Sequence, residues 1–167
     1  MIFVTVGTTR FHFDRLLRAV DRAMIDLHSQ EKLMVQLGRS HCRFKYPCTE
    51  IFSELPFNLM IDCFKKARII ISHGGPATIF LALKYGKNKP LVVPRTGKFG
   101  EHVDEHEVFF IQFLKKQGEI EAVFPHEDLS ARIKEYLRLP EKRWVKHNSV
   151  PSQELIKKLT DFTQHAR

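Results

Sequence analysis

Residues 71–87, ISHGGPATIFLALKYGK, bring together in one stretch the residue types that could hold an anion. An apolar run ends at Ser72 and His73, Gly74, Gly75 and Pro76 follow, and a helical pattern then begins. The start of a helix presents unpaired backbone N–H groups and the positive end of the helix dipole. Glycines there let a backbone approach a ligand that a Cβ would obstruct, and proline suits the first helical turn. An anion such as a phosphate would sit at Gly75, Pro76, Ala77 and Thr78, with the Thr78 hydroxyl as a further donor. A tight turn uses the same two glycines, so the local pattern leaves both readings open. Spacing removes others. No G-x-x-x-x-G-K-[ST] loop is present, and no G-x-G-x-x-G follows the first strand. HGGP looks like an esterase oxyanion loop, but no G-x-S-x-G elbow accompanies it.

A second pattern is His102–His106, HVDEH, which matches the H-x-x-E-H signature of inverted zinc peptidases. On a helix, residues four apart share a face and could both ligate zinc. Three fixed positions in five residues arise readily by chance in a chain with 9 histidines. The match also straddles a loop-to-helix boundary, and too little chain follows it for the distant glutamate ligand of such peptidases. It stands as a remote alternative. His12, His73 and His102 lie in or near the loops that would carry the chemistry and could titrate as general bases. Each is better explained as a hydrogen-bonding or structural histidine.

These loops need elements to position them. Apolar runs at 2–6, 33–37, 68–72 and 90–94 read as buried strands, with shorter strands at 51–55 and 119–124. Phe13, Leu16, Leu17, Val20, Met24 and Leu27 recur at helical spacing, predicting a helix over 13–28. Further helices are expected from Pro56 onward and over 76–86, 103–116 and 126–137. The polar stretch 39–50, with Pro47, reads as a loop or irregular strand. Repeated strand–helix alternation with nearly continuous apolar strands means an α/β fold: a Rossmann-like parallel sheet with helices on both faces. Ligands of such sheets bind beyond the carboxyl ends of the strands. Three loops converge there: Gly7-Thr8-Thr9, 73–78 and 95–106.

The chain has 167 residues, 43% hydrophobic and 28% charged, which is ordinary for one globular domain. Residues 1–139 form the α/β unit. Residues 140–167 form a C-terminal basic segment, bracketed by Pro140 and Pro151, and a helix over 151–165. Its Leu155, Ile156, Leu159 and Phe162 make it a candidate for partner docking. No membrane span or leader pattern is present, so a cytoplasmic location is expected. Cys42, Cys48 and Cys63 lack a C-x-x-C pair and fit reduced thiols. The net charge of +8 is spread along the chain and carries no nucleic-acid motif; a basic surface near a bilayer is compatible with it.

With these loops in place, the chain resembles the C-terminal, donor-binding half of glycosyltransferase family 28. The blocks that carry the resemblance are IFVTVGTTRFHFDRLLRAV, MVQLGRS, KKARIIISHGGPATIFLALKYGKNKPLVVP and GEHVDEHE, across residues 2–124. It is similar above all to split members of the family. These are the PssE-type exopolysaccharide subunits and the small catalytic subunit of the dolichol-linked N-acetylglucosaminyltransferase. MurG carries the same half fused to an acceptor domain.

The resemblance implies the C-terminal half of a GT-B enzyme and inverting, metal-independent transfer from a UDP-sugar, which is substrate, with no cofactor. The absence of a D-x-D motif agrees with this. It places Gly75, Pro76, Ala77 and Thr78, with His73 and Gly74, at the diphosphate. Gly7, Thr8 and Thr9 fall on the facing loop, Phe57 and Asn58 near uracil, and His106 and Glu107 near the donor sugar. Two positions depart from the family pattern: Leu81 replaces a ribose-binding glutamate, and Glu107 replaces a glutamine. In fused relatives the general base lies in the acceptor domain. A membrane-anchored partner subunit is therefore expected to supply the base and the site for a lipid-linked saccharide acceptor. A homodimer is left open. The two departures motivate the alternative of a non-catalytic nucleotide-binding or scaffold subunit.

Overall fold

The computed structural model describes residues 1–47, 49–103 and 105–138. Cys48, Asp104 and the expected C-terminal segment and docking helix lie outside the described residues. Six strands form one parallel sheet: β1 (Ile2–Thr5), β2 (Leu33–Gln36), β3 (Thr49–Phe52), β4 (Ile69–His73), β5 (Leu91–Val93) and β6 (Glu121–Ala122). Their order is β3-β2-β1-β4-β5-β6. The registers of the central pairs, Val4 beside Val35 and Ile71, align the strands so that their carboxyl ends finish together. Five α-helices follow the strands: α1 (Asp14–Asp26), α2 (Phe57–Lys66), α3 (Pro76–Tyr85), α4 (His106–Lys116) and α5 (Leu129–Arg138).

Side chains alternate between the two faces of a strand, and the apolar runs are apolar at both parities. Ile2, Val4, Leu33, Val35, Ile69, Ile71, Leu91 and Val93 meet Leu16, Leu17 and Val20 of α1 and Ile133 and Tyr136 of α5. Phe3, Met34 and Ile70 point the other way and pack with Cys63 and Phe64 of α2 and Ala82 of α3. Val92 and Ala122 continue that face under α3 and α4, with Ile79, Leu83, Ile111 and Leu114. Burial on both faces is what a parallel sheet requires, and it explains why these strands show no polar alternation.

The expected elements are present with shifted ends. The strand expected over 51–55 begins at Thr49, and that over 119–124 has two residues. The helix expected over 103–116 starts at His106. The chain before it is held out of helix: the Glu105 carboxylate accepts hydrogen bonds from the Thr96 hydroxyl at 2.5 Å and the Gly97 N–H at 2.9 Å. His102 therefore lies outside the helix, and the H-x-x-E-H pattern has no helical face on which two histidines could meet a metal. No helix of the described residues is long and apolar enough to cross a membrane.

The turn after β2 is tied to the turn after β1 by a close backbone contact. Gly38 has φ +56°, and a Cβ there would run into the carbonyl oxygen of Gly7. Gly38→Ala therefore combines a left-handed backbone with a clash against a main-chain atom. It should lower stability by about 2 kcal/mol or more in urea denaturation, well beyond the cost of a left-handed alanine alone.

Candidate functional site

The strand order reverses between β1 and β4, because β1 continues to β2 on one side while the chain returns to β4 on the other. A crevice opens at such a switch point, outside the carboxyl ends of the strands. Its walls are the β1–α1 turn, the β4–α3 turn and the β5–α4 loop.

His73 is the last residue of β4 and is buried. Its ring lies between two glycines. A Cβ on Gly7, itself at φ +70°, would come within 2.6 Å of the ring, and one on Gly75 would strike Nε2. Burial first, and then the charge of Arg95, push its pKa down to about 4, against the opposite pull of the Thr5 carbonyl. The ring is thus neutral near pH 7. Its Nδ1 lies 3.4 Å from that carbonyl oxygen. Assigning the ring proton to Nδ1 leaves Nε2 as an acceptor, held between Gly7 and Gly75.

The first turn of α3 carries the anion-binding features read from the sequence. Gly75 occupies the N-cap position, Pro76 follows at N1, and no side chain caps the turn. Pro76 and Ala77 are exposed and Thr78 half-buried, and the N–H groups of Ala77 and Thr78, in the first turn, have no intrahelical acceptor. The glycines have a second reason to be there. A Cβ at Gly74 would lie 2.6 Å from Ile111 Cδ1 and 2.7 Å from Glu107 Oε2, so the space beside the turn is filled by the protein's own side chains.

Glu107, in the first turn of α4, accepts a hydrogen bond from the Arg95 N–H at 3.0 Å. Burial raises its pKa, while backbone N–H groups of Arg95 and Gly74 pull it back down. Its carboxylate thereby links the β4–α3 turn to the β5–α4 loop.

Arg95 is the residue that sequence reasoning missed. It is the largest fully buried side chain of the described residues. One terminal nitrogen of its guanidinium donates to the carbonyls of Phe11 (3.0 Å) and His12 (3.2 Å), and the other to Val6 (2.7 Å). The group lies over the Phe13 ring at 4.7 Å. It therefore clamps the whole β1–α1 turn onto the β5–α4 loop. The available signal was a lone arginine directly after a fully apolar strand and a proline, LVVPR. Arg15 adds a second tie, donating through Nε and Nη2 to the two oxygens of Glu101 at 2.9 Å each.

The other expected residues spread around this centre. Thr8, Thr9 and His12 are exposed on the β1–α1 turn, and the His12 ring lies 4.7 Å from that of His41. His102 is half-buried, 5.9 Å from the Phe11 ring, and His106 is exposed at the start of α4. Phe57 and Asn58 are exposed at the start of α2, after the edge strand β3. Leu81 is half-buried and packs on the cluster of Phe3, Cys63 and Phe64.

A parallel sheet of this order with a crevice between the first and fourth strands defines a Rossmann-like α/β domain. The model of the glycosyltransferase family 28 C-terminal domain matches residues 1–165, and the chain belongs to that family. No curated protein sequence matches it. Among solved structures it is similar to MurG of Acinetobacter baumannii, with TM-score 0.63 and 12% identity over 95% of this chain and 49% of that one. It is also similar to the glycosyltransferase of kitacinnamycin, with TM-score 0.59 and 13% identity over 98% and 38%. The calicheamicin glycosyltransferase CalG4 gives 0.55 and 12% over 99% and 44%. The fold is that of the C-terminal half of GT-B glycosyltransferases, and the chain spans less than half the length of each of these proteins.

Two outcomes follow from the site. The folded-state pKa of His73 lies below its unfolded value, so its contribution is fully present above about pH 6.5 and is lost as pH falls toward 4. Between pH 7 and 5 the loss is about 2 kcal/mol. His73→Gln should show an acid slope shallower by that amount in urea melts taken across the range. Arg95→Lys replaces a planar fork by a point donor that cannot reach three carbonyls at once. It should cost about 2–4 kcal/mol by the same measurement.

Proposed function

We propose that the chain is the donor-binding subunit of a two-part glycosyltransferase. It would move a sugar from a UDP-sugar to a lipid-linked acceptor with inversion, in exopolysaccharide or capsule assembly. The observation that carries the donor-binding reading is the match of the glycosyltransferase family 28 C-terminal domain over residues 1–165, with the uncapped first turn of α3 beside the crevice. A partner subunit would complete the enzyme and supply the acceptor site and the base.

In the reaction, an acceptor hydroxyl attacks the anomeric carbon from the face opposite the diphosphate. The bond to the diphosphate oxygen breaks and the hydroxyl proton passes to the base. The charge that grows on the leaving diphosphate would lie at the first turn of α3, where the helix fixes the Ala77 and Thr78 amides and the Thr78 hydroxyl would add a donor. Fixed donors of this kind need no reorganisation as the charge develops. The sequence contains no D-x-D motif, which supports metal-independent transfer. Neutral His73 stands beside this turn without adding a positive charge.

Calorimetric titration with UDP, on the chain alone and with its co-purified partner, tests the reading. Binding in either form is expected, and its absence in both overturns the proposal. Gly75→Ala would push its Cβ into the His73 ring and should weaken UDP binding at least about 10-fold with the fold retained by circular dichroism, a loss of one or two good hydrogen bonds.

A second reading, a non-catalytic nucleotide-binding or scaffold subunit, is favoured by Leu81, whose side chain packs toward α2 and offers no acceptor to a ribose. Leu81→Glu separates the two. A gain in UDP affinity of about 1–3 kcal/mol would show that a ribose contact had been lost in this chain. No change would show that the nucleotide lies elsewhere.

A further inference from the structure

The side of α1 turned away from the sheet adjoins an extended segment, residues 39–47, that runs beside it. Backbone N–H groups of this segment bond to α1 carboxylates: His41 to Asp14 at 2.9 Å, Lys45 to Asp21 at 3.0 Å and Tyr46 to Asp21 at 2.9 Å. Cys42 and Phe44 turn inward onto the core, so Arg39, His41, Arg43 and Lys45 are exposed in alternation. Arg18 and Arg22 are exposed on the adjoining face of α1, and Arg10 on the turn before it. Among the described residues, Arg10, Arg18, Arg22, Arg39, Arg43 and Lys45 form no ion pair. The two acids that tether the segment, Asp14 and Asp21, already accept its backbone hydrogen bonds.

The result is a broad cationic face that begins at the crevice, since Gly38 abuts Gly7 just before Arg39. Its apolar exposure is scattered and not central: none of the exposed large apolar side chains lies in residues 39–47, α1 contributes Ile25 in its last turn, and Phe99 stands at the rim beside Arg10 and Arg18. Protein interfaces centre on buried aromatic or apolar residues, with charges at the rim. A cationic face without such a centre suits a surface whose negative charges need not be in register with it. A bilayer of anionic phospholipids is such a surface, and each Lys or Arg near it adds to the attraction.

We propose that the face formed by α1 and residues 39–47 binds anionic phospholipid headgroups directly, setting the crevice beside the bilayer. The choice of lipid rests on the lipid-linked acceptor of the proposed function, but the contact itself does not require UDP to bind.

Co-sedimentation of the full chain with vesicles tests this. Binding is expected to vesicles of phosphatidylcholine mixed with phosphatidylglycerol, not to phosphatidylcholine alone, and to fall as salt is raised. Arg18→Gln with Arg22→Gln, and separately Arg43→Gln with Lys45→Gln, should each reduce partitioning about 30-fold. Lys65→Gln with Lys66→Gln removes the same charge from exposed positions at the opposite end of the sheet and should leave it unchanged. The proposal is overturned by no pelleting, by equal pelleting with both vesicle types or by equal loss in all three variants. Preferential retention of a random-sequence oligonucleotide over anionic vesicles also overturns it. UDP calorimetry on the same variants reads the donor site separately, so failure of one idea does not mimic failure of the other.

Discussion

A guanidinium buried among carbonyl oxygens is the constraint on which the crevice depends. Arg95 reaches Val6, Phe11 and His12 from the end of β5, two strands away from β1, and its own N–H is held by Glu107. A charge in such a place is expensive unless its donors are satisfied, and four backbone carbonyls, those of Val6, Phe11, His12 and Glu101, hold its terminal nitrogens over an aromatic face, while Nε has no partner among the described residues. The β1–α1 turn has no regular structure of its own. Its geometry is imposed by this one side chain, with the Arg15–Glu101 pair as a second fastening.

The same charge influences the neighbouring histidine. A positive guanidinium and a buried position both disfavour imidazolium at His73, so the crevice floor stays neutral near pH 7 while the helix terminus beside it is electropositive. The ring in turn dictates the glycines on either side of it. Gly7 and Gly75 belong to different loops, yet one imidazole fills the space where both Cβ atoms would lie. Gly74 is fixed by Glu107 and Ile111 in the same way. Glycines that read as room for a ligand are thus also the seat of His73 and α4. The two requirements reinforce each other, because a turn packed this tightly presents its amides in one orientation.

Much of the fold was legible in the sequence because a parallel sheet buries both faces of its strands and leaves continuous apolar runs such as ARIIIS and PLVVP. The helices showed through the 3.6-residue spacing of α1 and through Pro56 and Pro76, which stand at helix starts. The start of α4 was misread because the helical pattern extends back to Val103, which the Glu105–Thr96 contact overrides. The anion turn could be read locally, since a glycine, a proline and a helix start suffice. Arg95 could not, since its role depends on carbonyls more than eighty residues away in the chain. Leu81 and Glu107 were visible as departures from a family pattern. What they do instead, packing on α2 and tying two loops, depends on neighbours that only the fold supplies.

The two surfaces of the molecule divide along the sheet. The crevice opens at the carboxyl ends of β1 and β4, while the cationic face runs down the side of α1, and residues 38 and 39 join them. Under the proposed function, the domain would take a soluble charged donor and pass part of it to a membrane-bound acceptor, and the lipid surface would have to be kept from competing for the donor site. On that reading the β4–α3 turn would hold the donor with backbone amides, a hydroxyl and a neutral histidine, with no lysine or arginine within residues 73–78. The flexible arginines and lysines lie outside, on a helix and an extended segment. Anionic headgroups are drawn to mobile cations, whereas a diphosphate is selected by fixed amides of matching geometry. A neutral histidine in the crevice and a positive flank would then let one small domain distinguish two phosphate-bearing partners by geometry, not by charge alone.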